Sequence, residues 1–99
     1  MNVTISSIHF KADVKLEEFI REKTAKLAGL FDGVIGCDVT LRLEAATNNE
    51  NKTAEIRVLI PGNDLFAKKQ AKTFEEAIDN AVDALKRQVK KHKEKLKGI

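Results

Sequence analysis

From Ala84 onward, seven basic side chains (Lys86, Arg87, Lys90, Lys91, Lys93, Lys95 and Lys97) stand against one acid, Glu94. This segment carries +6, so residues 1–83 carry −3 of the chain's net +3. Ammonium and guanidinium groups collected in this way complement phosphate oxygens, and the pattern points to a polyanionic partner. A solvated helix end uses one or two lysines to complement its C-terminal dipole, at a few tenths of a kcal/mol each; the number here exceeds that need. On a helical wheel with Ile78 at the origin, the apolar residues cluster within about 60°. Lys86, Lys90, Lys93 and Lys97 fall along one flank, while Arg87 and Lys91 point outward. A stripe of cations beside a buried seam can follow the phosphates of a folded RNA backbone.

Other chemistries find less support. His9 and His92 have no metal-ligand spacing or motif partner. Cys37 falls on the inward face of an alternating segment, where a thiol behaves as a small inert hydrophobe. Asp79 and Asp83, one turn apart, read as compensation of a helix N-terminal dipole. No Gly-rich phosphate loop, nucleophile elbow or HExxH occurs. The expectation is therefore a protein that is not an enzyme, with no catalytic residue, metal, cofactor or small-molecule substrate. Gly33-Val34-Ile35-Gly36 has the form of a GxxG loop but lies between a helix and a strand, as a turn. Phe66 is the one aromatic suited to an exposed strand position, too little for a base-stacking sheet.

The single cysteine cannot make an internal disulfide. The N-terminal residues lack the charged and apolar regions of a signal peptide, and no apolar run approaches the roughly 20 residues that span a bilayer. A cytoplasmic protein with no membrane partner is expected.

These side chains need elements to position them. Ninety-nine residues, 42% of them hydrophobic, make one domain over 1–99. Residues 2–8 alternate in part and predict a strand. Asp13 is a suitable N-cap for a helix from Val14 to about Phe31, with apolar positions Leu16, Phe19, Ile20, Leu27, Leu30 and Phe31, closed by Gly29, Asp32 and Gly33. Residues 37–45 alternate cleanly, with Cys37, Val39, Leu41, Leu43 and Ala45 on one face. Residues 47–52 are a polar hairpin loop. Residues 53–60 alternate again, 61–64 (Pro61-Gly62-Asn63-Asp64) form a turn, and Leu65 to Lys72 make a further strand whose Lys68, Lys69 and Lys72 suit an exposed edge. Thr73-Phe74-Glu75-Glu76 has the form of a capping box, opening a helix that runs to about Lys97.

The order is β-α-β-β-β-α. Two amphipathic helices and a half-wet sheet imply an α+β fold: a two-layer βαβββα sandwich whose four-stranded sheet carries both helices on its apolar face. The first two strands form a parallel pair beside an antiparallel meander. The core is like that of a double-stranded-RNA-binding domain, except that such modules begin the last helix with a basic cluster and this one begins with Glu75, Glu76 and Asp79. The first helix adds Lys15, Lys23 and Lys26. They either border a groove shared with the second helix or simply balance Glu17, Glu18 and Glu22. Lys23 lies near the apolar stripe, so its stem packs and its ammonium snorkels.

Four segments stand out: Lys23-Thr24-Ala25-Lys26-Leu27 leading to Phe31-Asp32, Val39-Thr40-Leu41 with Glu44, Glu76-Ala77-Ile78-Asp79, and the long closing run of Asp83, Leu85, Arg87-Gln88-Val89 and then Lys91 through Lys97. Together they resemble the family of ribosome hibernation promoting factors and ribosome-associated inhibitors. The sequence departs from the family pattern at Ser7, Thr73, Glu75 and Ala84. The resemblance implies a small-subunit (ribosomal RNA) partner, bound in the channel of messenger and transfer RNA. It also implies inhibition of translation and protection of idle ribosomes under stress or in stationary phase. Residues carried over from the motif as RNA contacts are Lys23, Lys26, Arg87, Lys91, Lys93 and Lys95; Lys86 and Lys90 join them from the wheel. The dimerisation domain of long-form members is not expected. A general RNA-binding module and a protein-interaction domain with an acidic partner are the alternatives.

Overall fold

The computed structural model describes residues 2–45 and 49–97, apart from the side chains of residues 96 and 97. The elements are β1 (Asn2–Ile8), α1 (Val14–Leu30), β2 (Gly36–Leu43), β3 (Lys52–Ile60), β4 (Asn63–Ala71) and α2 (Phe74–Lys97). They form one four-stranded sheet in the order β1-β2-β3-β4. β1 and β2 pair in parallel, and β2-β3-β4 form an antiparallel meander. The α+β sandwich expected from periodicity is the architecture found.

Side-chain alternation decides which face is covered. Cys37, Val39 and Leu41 share a face with Ala54, Ile56, Val58 and Ile60, and with Leu65, Ala67 and Ala71. All are buried in one cluster with Leu16, Ile20 and Leu27 of α1 and Ala77, Ile78, Ala81, Val82, Leu85 and Val89 of α2. Both helices thus cover the apolar face. Burial of this surface, at roughly 25 cal/mol per Å² of apolar area, is the main stabilising contribution. Thr24 is a buried polar residue in the α1 stripe; its hydroxyl donates to the Ile20 carbonyl at 2.8 Å, so it lacks no partner.

Local signals set the boundaries. The Asp13 carboxylate accepts from the Leu16 amide at 2.8 Å and starts α1. The Thr73 hydroxyl accepts from the Glu76 amide at 3.1 Å and starts α2. β1 ends at Ile8, and the next residue, His9, adopts the left-handed region at φ 72° and redirects the chain. Phe10 then stacks on Phe74, 4.5 Å between centroids, pinning this connection to the start of α2.

Several boundaries differ from the sequence expectation. β3 and β4 are joined through Pro61-Gly62 alone, with Ile60 paired to Asn63 and Asp64 already in β4. Proline presets the first turn residue and Gly62 takes φ 77°, so two residues suffice where four were expected. β2 stops at Leu43, leaving Ala45 exposed outside the strand. α1 stops at Leu30; Phe31 takes extended backbone as its C-cap. Part of the expected 47–52 loop lies outside the described residues, while Lys52 belongs to β3.

Candidate nucleic-acid interface

α2 has 24 residues, about 36 Å at 1.5 Å per residue. Its buried face runs from Ala77 to Val89. Past Val89 the helix continues with partly or fully exposed residues as far as its side chains are described, so its cations flank and extend beyond the buried seam. The helix is electrically split: Glu75, Glu76, Asp79 and Asp83 occupy its first half, and the cations its second.

Lys86, Lys90 and Lys93 line a groove of about 420 Å³ with Leu30 of α1, Val89 and Glu94. These lysines are those assigned to one flank by the helical wheel; the side chain of Lys97, their fourth member, lies outside the described residues. The end of α1 is braced against α2 here, with the Phe31 ring edge-on to the His92 imidazole at 5.2 Å. On the other flank, Arg87 lines a shallow depression with Lys69, Asn80 and Asp83. Lys91 and Lys95 line a second one with Asn63, Leu65, Gln88 and His92. Gln88 fixes this flank to the sheet edge by donating to the Phe66 carbonyl at 2.9 Å.

Among the described residues, Lys26, Lys86, Arg87, Lys90, Lys91, Lys93 and Lys95 form none of the three ion pairs. Lys26 is exposed on α1. Lys23 differs from the others. Its ammonium lies 3.0 Å from the Asp79 carboxylate and 5.3 Å from the Phe19 ring centroid, tying α1 to the acidic half of α2. The structure thus brings together the α2 cations, leaves Lys26 as the unpaired α1 contributor, and gives Lys23 a carboxylate partner. No α1 lysine is among the described residues that line the groove; α1 contributes Leu30.

Lys69 was assigned only to edge protection by the sequence reading, yet it joins Arg87 in one depression. The signal was available: Lys69 continues the inward alternation of Leu65 and Ala67, which puts it on the helix side of the sheet.

The open sheet face has a different electrostatic character. Arg42 pairs with Glu55 at 2.8 Å and Arg57 with Asp64 at 3.7 Å. Phe66, 41% exposed, carries the Arg57 guanidinium 5.1 Å from its ring centroid, so that ring already has a stacking partner. Both arginines on this side are engaged with carboxylates or an aromatic ring, whereas Lys68 on the same face and, among the described residues, the cations of α2 are in none of the ion pairs.

Cys37 is fully buried. Burial foremost, and then the neighbouring Asp38 carboxylate, push its thiol from the ordinary 9.0 up to about 11. It stays protonated at neutral pH and is a poor nucleophile. Among the described residues, no group of His, Cys, Asp and Glu side chains is arranged to hold a metal ion, and no helix is long and apolar enough to cross a membrane.

Residues 3–97 match the family described as Sigma 54 modulation protein / S30EA ribosomal protein. A ribosome hibernation promoting factor from Pseudomonas putida is 31% identical over 99 residues, covering 100% of this chain and 93% of that protein. The factor of the same name from Escherichia coli K12 is 32% identical over 97 residues, 98% of each chain. In solved structures, the N-terminal domain of Thermus thermophilus Protein Y superposes with a TM-score of 0.79 at 28% identity, covering 93% of this chain and 99% of that one. A ribosomal subunit interface protein from Coxiella burnetii gives a TM-score of 0.81 at 17% identity, covering 94% and 98%, and so shares the fold. With nearly every residue matched and the architecture held in common, the chain belongs to the S30EA ribosomal protein family.

Proposed function

We propose that this protein binds the small ribosomal subunit through ribosomal RNA, in the channel used by messenger and transfer RNA. There it blocks translation and stabilises idle ribosomes under stress, acting in the cytoplasm without catalysis. The observation that carries this reading is the set of cations flanking the second half of α2 that are in none of the ion pairs among the described residues, together with the exposed Lys26 on α1 and Lys69 on β4. Such a surface attracts phosphates without first breaking internal ion pairs. The names of the relatives support the ribosome as the polyanion.

Sucrose-gradient sedimentation tests it. The protein is expected with small subunits, with log affinity falling linearly as log salt rises. Replacing Lys86, Arg87, Lys90 and Lys91 together by glutamate is expected to abolish co-sedimentation while the circular dichroism spectrum is unchanged. Messenger or transfer RNA on the subunit is expected to displace the protein, while bulk duplex RNA competes poorly. Equal competition by duplex RNA indicates a general RNA-binding module, and a captured partner that survives ribonuclease indicates a protein-interaction domain.

A further inference from the structure

We infer that the groove between the end of α1 and α2 is a nucleotide pocket. It receives an unpaired base against the exposed Leu30, above the buried Val89, while Lys86, Lys90 and Lys93 hold the adjoining phosphates. This rests on the RNA-facing reading above and adds to it, because following phosphates alone requires no apolar floor.

The geometry carries the inference in three ways. First, Leu30 is 40% exposed beside a cluster of unpaired ammonium groups, where a polar residue would be more soluble. A surface that is apolar at its floor and cationic at its rim complements a ligand that is apolar on its faces and anionic at one edge. Bases stacked inside a duplex cannot present a free face, whereas an unpaired nucleotide can. Second, the groove's volume of about 420 Å³ falls in the range of small-ligand clefts, about 300–1,000 Å³. Third, the edge-on contact of Phe31 with His92 holds the end of α1 in place, so the floor is formed before anything binds.

Glu94 gives the pocket a preference. It is the one acid among the described lining residues and lies about 12 Å from Lys86 along the helix axis at 1.5 Å per residue. A carboxylate repels phosphate and accepts hydrogen bonds from exocyclic amino groups, which adenine, cytosine and guanine carry and uracil lacks. The pocket therefore favours the amino-bearing bases over uracil.

The test is a titration of the full chain, with leucine and valine methyls isotopically labelled, by hexamers of oligoadenylate and oligouridylate at low salt. Saturable shifts of the Leu30 and Val89 methyls with oligoadenylate are expected, with weaker binding of oligouridylate. Replacing Glu94 by glutamine is expected to narrow that difference. Leu30→Ala is expected to weaken oligoadenylate binding about fivefold to tenfold through lost apolar contact without altering its salt dependence. Lys90→Gln should instead lower the slope of log affinity against log salt by about 0.7. Because Leu30 is a partly exposed helix-end residue, its truncation leaves the core intact, and an unchanged melting temperature verifies this.

If Leu30→Ala binds as well as wild type while Lys90→Gln binds more weakly, the pocket is overturned and phosphate tracking stands. If oligoadenylate leaves both methyls unmoved, the pocket is overturned whatever subunit sedimentation shows. If laurate, an anionic amphiphile, moves the methyls and oligoadenylate does not, the groove binds lipid and the inference is again overturned. If the glutamate variants of the α2 cations still co-sediment fully with small subunits, the ribosomal reading itself fails, independently of the groove.

Discussion

A single glycine and a single thiol show how closely this sheet is packed. Gly36 opens β2 opposite Asn2 of β1, and a Cβ built on it would lie 2.7 Å from the Asn2 carbonyl oxygen. That neighbour is backbone and cannot swing aside, so Gly36→Ala is expected to cost about 1–3 kcal/mol, read as a lower midpoint in chemical denaturation. Cys37, the next residue, is a pH probe of the core. Its thiol ionises near 9.0 when unperturbed and at about 11 when folded. The folded form thus holds the proton more tightly, and its contribution, complete below pH 9, is lost as pH rises through 11. Comparison of wild type with Cys37→Ala by denaturation between pH 8 and 11 is expected to show a steeper loss in wild type. Equal slopes would contradict the burial argument.

At the scale of elements, α2 is a helix with two functions joined end to end. Its first half is capped and acidic; its second half stays anchored through the buried Val89 and the Gln88–Phe66 hydrogen bond and, among the described residues, carries cations in none of the ion pairs. The cap is local and measurable: Thr73→Ala removes the acceptor for the Glu76 amide and is expected to cost about 1 kcal/mol, visible as a lower melting temperature with unchanged RNA affinity. The acidic half also restrains α1 through the Lys23–Asp79 pair. Asp79→Asn is expected to lower stability by no more than about 1 kcal/mol, as for other solvent-accessible pairs. The same change frees the Lys23 ammonium and is expected to strengthen binding to small subunits, as measured by sedimentation. Lower affinity in this variant would show that the ion pair itself positions the RNA-binding surface.

For the whole molecule, the two layers divide the work electrostatically. Apart from the Lys23–Asp79 pair, the helical layer presents cations in none of the ion pairs among the described residues, while both arginines of the open sheet face are paired, Arg42 with Glu55 and Arg57 with Asp64. The shortest principal extent is 19 Å, about two Debye lengths at 0.1–0.15 M salt. Charges on the sheet face are therefore largely screened from a ligand on the helices. Lys68→Glu, on the sheet face opposite Glu55, is expected to change subunit affinity by less than about twofold at physiological salt. Lys90→Glu on the helical layer is expected to reduce it at least about tenfold. Similar losses from both would mean that the partner contacts both layers.

The elements and their order were legible in the residues because both are local properties. A period of two in β2 and β3 and a helical period in α1 and α2 assign each residue to a face without reference to distant parts of the chain. The block of lysines in α2 and the resemblance of its closing run likewise require no coordinates. Turn lengths were less legible: Pro61-Gly62 closes a hairpin by itself, since backbone geometry and not polarity decides where pairing begins. What tertiary structure alone decided was which cations are free and what surrounds them. The rotation of α1 against α2 is set by the packing of Ile20, Leu27, Ile78 and Leu85, residues remote in sequence. That rotation brings Asp79 to Lys23 and leaves Leu30 at the floor of a lysine-lined groove.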